Sequence, residues 1–190
     1  MKSKESILSK SKALFERHGY QKTTLTDIAQ SVGKVKTAIY YYFSSKEDIF
    51  TQLVRSEAEE FFFKLQGEID KELKPINKLE VYIEARISLM QKITKRYTFL
   101  KQEFFELMPL IEEHRREFYQ MEVKMIEEIL ENGCEDESMV LNAPNLSATM
   151  LVNSLKGLEI QMFVTDQMIV EGSNLKEFRD FLLYGILKLN

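Results

Sequence analysis

Apolar residues recur every three to four positions along nearly the whole chain, and few residues interrupt them. Only seven glycines and three prolines occur among 190 residues. This spacing puts apolar side chains on one face of a helix, whereas a half-buried strand needs strict alternation. Glycine and proline are the strongest helix breakers, so their scarcity favours long helices. The sequence therefore predicts an all-α fold of about nine helices.

The helix boundaries follow from the same few breakers and from capping residues. Gly19 ends the first predicted helix, as a glycine just past a helix end commonly does. Thr24 and Asp27 have the spacing of a capping box, with Asp in place of the usual Glu or Gln. Pro109 and Gly133 are expected to separate later helices. The predicted spans are about 4–18, 25–32, 36–43, 46–72, 76–93, 96–107, 110–133, 145–169 and 174–189.

Composition excludes several classes of protein. The single cysteine, Cys134, cannot form an internal disulfide, and this suits a reducing cytoplasm. The chain has no run of about 18 apolar residues that could cross a bilayer, and the N-terminus lacks the apolar stretch of a signal peptide. The formal charge, 26 − 30 = −4, at first argues against a nucleic-acid binder. We therefore expect a cytoplasmic protein without membrane contact.

The charge is unevenly distributed. Residues 1–50 contain nine basic and five acidic side chains, a net charge of 9 − 5 = +4. Residues 51–190 contain 17 and 25, a net charge of 17 − 25 = −8. A basic N-terminal segment can approach DNA phosphates while an acidic remainder stays away from them.

The basic segment also contains a helix-turn-helix pattern. Two short predicted helices are joined by a three-residue break that includes Gly33, which can adopt a left-handed conformation. Ala29 is small enough for the two helices to cross closely. The helical period leaves the outer face of the second helix open to DNA. The apolar core expected beneath the two helices consists of Leu14, Phe15, Ile28, Val32, Ile39 and Phe43.

The same segment contains a series of short runs: Ala13-Leu14-Phe15, Gly19-Tyr20, Thr23-Thr24-Leu25, Ile28-Ala29, Gly33, Ile39-Tyr40-Tyr41-Tyr42-Phe43 and Ser45-Lys46-Glu47-Asp48. Over about residues 7–50 these runs resemble the N-terminal signature of the TetR family of transcriptional repressors. The resemblance implies a DNA-binding domain at residues 1–46 and a ligand-binding and dimerisation domain at residues 47–190.

The resemblance implies roles for individual residues in DNA binding. Contacts to phosphates, to base edges or to the sugar–phosphate backbone are implied for Thr24, Lys34, Lys36, Thr37, Tyr40, Tyr41, Tyr42 and Lys46. Thr37 stands where the family often has glycine, and Val35 where it often has a small hydroxyl residue. The alternative interpretation is that the tyrosines only pack and the lysines are solvated surface residues. Three consecutive helical residues cannot all face inward, which favours exposure of at least one tyrosine.

The remaining helices are rich in Met and Phe, which is ordinarily a sign of core packing. Given the resemblance, we expect a mainly apolar pocket for a small apolar or amphipathic effector. Its candidate lining is Phe104, Phe105, Met108, Tyr119 and Met125. Arg86, Gln161 or Asn153 are candidate polar anchors.

The last two predicted helices are expected to form a homodimer interface. Two recognition helices must reach DNA half-sites roughly 34–36 Å apart, which a dimer achieves. Burial within one subunit is the alternative explanation of their apolar faces. The candidate interface residues are Leu151, Leu155, Leu158, Met162, Phe178, Phe181 and Leu182.

Rival functions have weaker support in the sequence. Neither His18 nor His114 belongs to an ExxH or HExxH pattern, and no phosphate-binding loop or GxSxG turn is present. We therefore expect no catalytic residue, no metal and no cofactor. The predicted function is a repressor that binds a palindromic DNA operator as a homodimer and is released by its effector. The alternative is a helical ligand-binding or partner-binding protein without DNA-binding activity.

Overall fold

The structure of the chain is a computed structural model that describes residues 2–164 and 173–186. Within these ranges it consists of eight α-helices and one 3-10 helix, η1. The prediction of an all-α fold is thus confirmed. The helices are α1 (Lys2–His18), α2 (Leu25–Ser31), α3 (Lys36–Ile39), α4 (Lys46–Ile69), α5 (Pro75–Arg96), η1 (Thr98–Glu103), α6 (Phe104–Glu135), α7 (Pro144–Val164) and α8 (Ser173–Ile186).

Several predicted boundaries were wrong, and each has a physical reason. The break expected at Pro109 is absent, since α6 continues through it. Leu107 and Leu110, on either side of the proline, pack in the same core, and this burial offsets the helix hydrogen bond that proline cannot donate. The end expected at Gly133 falls two residues later, because α6 continues to Glu135. A Cβ atom at Gly133 would lie 2.5 Å from the Met139 Sδ, so glycine leaves room for that side chain.

The third helix is shorter than predicted, and two predicted helix ends cannot be compared. The α-helical part of α3 ends at Ile39, after which the N–H groups of Tyr42 and Phe43 both donate to its carbonyl. This tightens the chain into a turn at residues 40–42. The predicted ends at residues 169 and 189 lie outside the described residues.

The chain divides into two compact units. The first comprises residues 1–59 and 93–116, and the second comprises residues 60–92 and 117–190. Helices α4, α5 and α6 each contribute residues to both units. The proposed division into functional domains at residues 46 and 47 follows the resemblance rather than compactness, and it stays a prediction.

The first unit has one apolar core beneath the helix-turn-helix. Leu107 from α6 is buried together with side chains from α1 to α4, so the start of α6 belongs to this core. Burial of such side chains stabilises the unit by roughly 1.5–3 kcal/mol for each large residue. The buried members are Ile7, Phe15, Ile28, Ala29, Ile39, Phe43, Ile49, Phe50, Leu53 and Leu107.

An ion-pair network ties the end of α5 to the same unit. The Arg96 guanidinium donates to Glu57 of α4 at 3.0 Å and lies 3.7 Å from Glu16 of α1. Lys12 of α1 also pairs with Glu57. Burial raises the pKa of the neighbouring Tyr97 phenol well above its ordinary value, and the charges of Glu57 and Glu16 raise it further. These contacts join the end of α5 to α1 and α4 within the first unit.

The second unit has a core built by α4, α5, α6 and α7. Fully buried side chains such as Leu65, Tyr82, Ile126 and Val152 come from all four helices. No helix among the described residues is long and apolar enough to cross a membrane.

Candidate nucleic-acid interface

The helix α2 begins at a complete capping box. The Asp27 N–H donates to Thr24 Oγ1 at 3.2 Å, and the Thr24 N–H donates to Asp27 Oδ2 at 2.8 Å. Hydrogen bonds from the Thr24 hydroxyl and N–H lower the pKa of the Asp27 carboxyl. The box satisfies two N–H groups that a helix start otherwise leaves unpaired. Thr24 is therefore an N-cap, and its hydroxyl already has partners before any phosphate approaches.

The turn between α2 and α3 is made at Gly33. Its φ of 66° lies in the left-handed region, as the sequence predicted. The Lys34 N–H then returns to the Ala29 carbonyl at 2.9 Å, which closes the turn. Ala29 itself is buried beneath the crossing helices. The turn fixes α3 against α2, so that one face of α3 packs and the other faces outward.

The outward face of α3 carries polar and aromatic side chains. Lys36, Thr37 and Tyr40 are exposed, while Ile39 beside them is fully buried. Lys36 and Tyr40 lie one helical turn apart, so their side chains are neighbours on this face. Lysine can reach guanine O6 and N7 or a phosphate, and a tyrosine hydroxyl can donate to either. The face therefore has the chemistry that reads a major groove.

The three consecutive tyrosines do not behave alike. Tyr41 is 84% exposed and Tyr40 49% exposed. Tyr42 is half-buried and packs on the core of the first unit, with its ring centroid 5.0 Å from that of Tyr41. Tyr40 and Tyr41 are therefore available to a ligand such as DNA, while Tyr42 is mainly a packing residue. A backbone contact by Tyr42 stays a prediction.

Lys46, at the start of α4, is engaged inside the first unit. Its Nζ donates to the carbonyls of Tyr20 at 2.8 Å and Gln21 at 3.4 Å and lies 4.2 Å from the centroid of the Tyr20 ring. Burial lowers the pKa of Lys46, which the charge of Glu103 partly offsets. One ammonium N–H remains for a phosphate. The half-buried Lys34 has its backbone fixed by the turn, and its DNA contact also stays a prediction.

The five predicted pocket residues fall in both compact units. Phe104, Phe105 and Met108 belong to the first, where Phe104 is buried and Phe105 is 67% exposed. Tyr119 and Met125 belong to the second. Within the second unit the Tyr119 hydroxyl is 3.2 Å from Asn153 Oδ1, and the Lys156 ammonium lies 5.1 Å from the Tyr119 ring centroid.

A groove of about 420 Å³ in the second unit is lined by other residues. It lies between the start of α5 and the end of α6, and its lining consists of Leu73, Pro75, Lys78, Ile129, Asn132, Glu135 and Asp136. None of the five predicted pocket residues belongs to it. Their role in effector binding stays a prediction.

Most of the predicted dimer residues are buried within the chain itself. Core positions are held by Leu151, Leu155, Met162 and Leu182, while Leu158 and Phe178 are half-buried and Phe181 is 74% exposed. The exposed side of α7 is a different set of residues, Leu146, Met150, Asn153, Gly157, Ile160 and Val164. Their spacing of three and four defines one helix face, which we name the α7 stripe. A periodic apolar pattern cannot by itself distinguish the inward face from an outward apolar one.

A buried ionic cluster in the second unit was missed by the sequence reasoning, apart from Arg86. The Arg86 Nε donates to Glu122 at 2.6 Å, and its Nη2 lies 2.8 Å from Glu159. The Tyr82 hydroxyl donates to the same Glu122 carboxylate at 2.8 Å. All four side chains are nearly fully buried. The sequence signal that could have identified the cluster is a charged residue at an otherwise apolar core position in each of three helices.

Comparisons with known proteins agree with this geometry. Residues 7–53 match the family model described as bacterial regulatory proteins, tetR family. The biofilm operon icaADBC HTH-type negative transcriptional regulator IcaR of Staphylococcus aureus is 44% identical over 52 residues, which are 27% of this chain. The aligned segment spans only 28% of that relative's length. The sequence likeness is thus concentrated in the helix-turn-helix.

Solved structures extend the likeness to the whole fold. A transcriptional regulator of the TetR/AcrR family from Thermobifida fusca has a TM-score of 0.70 at 22% identity and covers 98% of this chain and 97% of its own. The transcriptional regulator FadR from Bacillus subtilis, in complex with stearoyl-CoA, has a TM-score of 0.72 at 18% identity and covers 97% of both chains. The segment that contains the helix-turn-helix is thus similar to the TetR family of bacterial regulatory proteins.

Proposed function

We propose that this chain is a DNA-binding repressor that acts as a homodimer on a palindromic operator and is released by a small apolar or amphipathic effector. The observation that carries the proposal is the exposed face of α3. Lys36, Thr37, Tyr40 and Tyr41 point away from a core that a capping box and a left-handed glycine fix in place. Packing alone does not explain why two large aromatic side chains are left in solvent.

The α7 stripe supports the dimer. Met150 is 60% exposed and Leu146 57%, and Ile160 and Val164 continue the same face. Phe181 on α8 is exposed as well. Large apolar side chains in solvent at helical spacing are typical of a surface that a partner covers. A self-complementary contact through this face would give the two-fold symmetry that a palindromic operator requires.

The class of effector is proposed from the fold neighbours. FadR from Bacillus subtilis has the same fold and was crystallised with stearoyl-CoA, a long-chain amphiphile. For this chain we propose an apolar or amphipathic molecule that binds the helical region and favours a conformation unsuited to the operator. By linkage, the effector weakens DNA binding by the same factor by which DNA weakens effector binding.

Selection from a pool of random-sequence duplexes tests the DNA-binding part. The purified full chain is expected to enrich a palindrome whose half-sites lie about one helical turn, or a multiple of it, apart. Failure to enrich any sequence over several rounds would overturn the repressor proposal. It would favour the alternative of a helical binding protein without DNA-binding activity.

A further inference from the structure

Glu103, the last residue of η1, holds the turn between α1 and α2 from one side. Its Oε2 accepts the Tyr20 N–H at 2.8 Å, and its Oε1 accepts the Gln21 N–H at 3.0 Å. These partners are 83 and 82 residues away in the sequence. A carboxylate that accepts two backbone N–H groups forms charge-assisted hydrogen bonds, which are stronger than neutral ones.

Lys46 holds the same two residues from the other side. The Glu103 carboxylate accepts hydrogen bonds from the N–H groups of these residues, and the Lys46 ammonium donates to their carbonyls. The attraction between Glu103 and Lys46 favours the charged form of the lysine. We name this arrangement of Glu103, Lys46, Tyr20 and Gln21 the turn clamp. It joins α4 and η1 to the turn that leads into α2.

Gly19 is required by the clamp for two reasons. Its φ of +84° lies in the left-handed region, which favours glycine. A Cβ atom on it would also lie 3.1 Å from Glu103 Oε1, closer than ordinary contact. The glycine that the sequence identified as a helix end is therefore also the place where the carboxylate approaches the backbone.

The clamp lies directly before the DNA-reading helices. Three residues separate Gln21 from the first residue of α2, and within them the buried Thr23 hydroxyl donates back to the Gly19 carbonyl at 2.8 Å. The Tyr20 ring packs between Phe15 and Phe50, with centroid distances of 5.7 Å and 4.8 Å. The start of α2 is thus fixed relative to a carboxylate on a distant segment of the chain.

We propose that Glu103 is a positioning residue for DNA recognition: it holds the turn clamp and thereby sets the place of α2 and α3 for the groove. The inference rests on the proposed DNA-binding function. Glu103 touches no DNA in this role, because both its oxygens bind the backbone of the turn.

The Glu103→Gln variant tests the inference with two measurements. The first is amide hydrogen exchange at Tyr20 and Gln21, measured by NMR in the full chain without DNA. One amide of the pair is expected to exchange about tenfold faster, because the Gln NH₂ group cannot accept a hydrogen bond from the N–H that faces it. The second is affinity for the duplex that the wild-type protein selects from the random pool, compared with a shuffled duplex of equal length.

Affinity for the selected duplex is expected to fall about tenfold or more in Glu103→Gln, while affinity for the shuffled duplex does not fall. A merely structural role would lower the melting temperature and weaken both. Glu103→Asp, which keeps the charge but is one methylene shorter, is expected to lose less than Glu103→Gln. Glu106→Gln is the matched control, because the exposed Glu106 carboxylate accepts from the Gln21 side-chain amide at 3.4 Å and, among the described residues, accepts no backbone N–H of the turn. It is expected to behave as wild type.

The outcomes separate this inference from the function on which it rests. Unchanged exchange at both amides, or a loss in Glu106→Gln equal to that in Glu103→Gln, overturns the positioning role while wild-type DNA selection still stands. An equal loss for the selected and shuffled duplexes also overturns it. If the wild-type protein selects no duplex, the proposed function fails, and the positioning role fails with it even where amide exchange responds as expected.

Discussion

Lys36 and Tyr40 lie one helical turn apart on the open side of α3, and each has a distinct contribution to make. A lysine can bind a phosphate as a point charge or a guanine edge through hydrogen bonds. Tyr40 adds a ring that can pack on a thymine methyl or sugar and a hydroxyl that can donate. The buried Ile39 between them holds the backbone that presents both.

Replacing Tyr40 or Lys36 by alanine is expected to weaken binding to the selected duplex by about tenfold to a hundredfold each. The reason is loss of a direct contact without loss of core packing, so the melting temperature is expected to stay within a few degrees of wild type. Fluorescence anisotropy with a labelled duplex measures the affinity. Lys64→Ala, which removes an exposed lysine from α4 in the second unit, is the control. Equal weakening in the control would count against a specific role for α3.

Single residues show how far the sequence alone reaches at the interface. The exposure of Lys36, Thr37 and Tyr40 follows from the helical period, and the left-handed Gly33 follows from the spacing of the turn. The engagement of Lys46 could not be predicted in the same way. Its ammonium binds carbonyls 25 and 26 residues away, and only the packed fold brings them together.

At the scale of elements, α5, α6 and α7 are joined by the buried cluster as well as by apolar packing. Burial alone lowers the pKa of Arg86, but Glu122 and Glu159 more than offset this, so the net pKa is raised and the guanidinium stays charged. Tyr82 remains a neutral donor, because burial and the Glu122 charge raise its pKa well above the ordinary value. Such a cluster can fix the register of three helices, since each group has few alternative partners.

Arg86→Met is expected to destabilise the chain by roughly 3–5 kcal/mol, because it leaves two carboxylates buried without their cation. Urea denaturation followed by circular dichroism measures the loss. Lys64→Met, which breaks the exposed pair with Glu60, is the control and is expected to cost about 1 kcal/mol or less. A similar small loss in both variants would show that Arg86 does not hold the second unit together.

Elements were predicted well in kind and less well in extent. The apolar period predicts that the long segments are helical. It does not predict that α6 is one uninterrupted helix, because a proline such as Pro109 usually marks a helix boundary. Tertiary packing of Leu107 and Leu110 outweighs that local signal. The 3-10 helix η1, which ends in Glu103, has no apolar pattern that would distinguish it from an ordinary helix.

At the scale of the whole molecule, the α7 stripe is the proposed dimer surface. Met150→Glu puts a charge at the proposed contact, where burial without a partner costs several kcal/mol. The variant is expected to raise the dimer dissociation constant by about a hundredfold or more, as measured by sedimentation velocity. Leu73→Glu changes an equally apolar, 92% exposed residue outside the stripe, and it is expected to leave the dimer intact. If the Met150→Glu protein remains dimeric, the dimer interface does not lie on the α7 stripe.

The net charge of the molecule does not show how the charge is distributed along the chain. A total of −4 conceals a basic first 50 residues and an acidic remainder. The split could be read from the sequence because charge needs no fold to be counted. The inward or outward direction of the apolar faces on α7 could not, because both faces are apolar and only the neighbouring helices decide which one is covered.

The central claim is that the exposed face of α3 reads a DNA sequence. Its most direct test is the ratio of affinities for the selected duplex and a shuffled duplex, measured at about 150 mM salt, where non-specific phosphate contacts are weak. We expect a preference of about a thousandfold or more for the selected duplex. Equal affinity for the two duplexes, with a steep loss of both as salt rises, would contradict it.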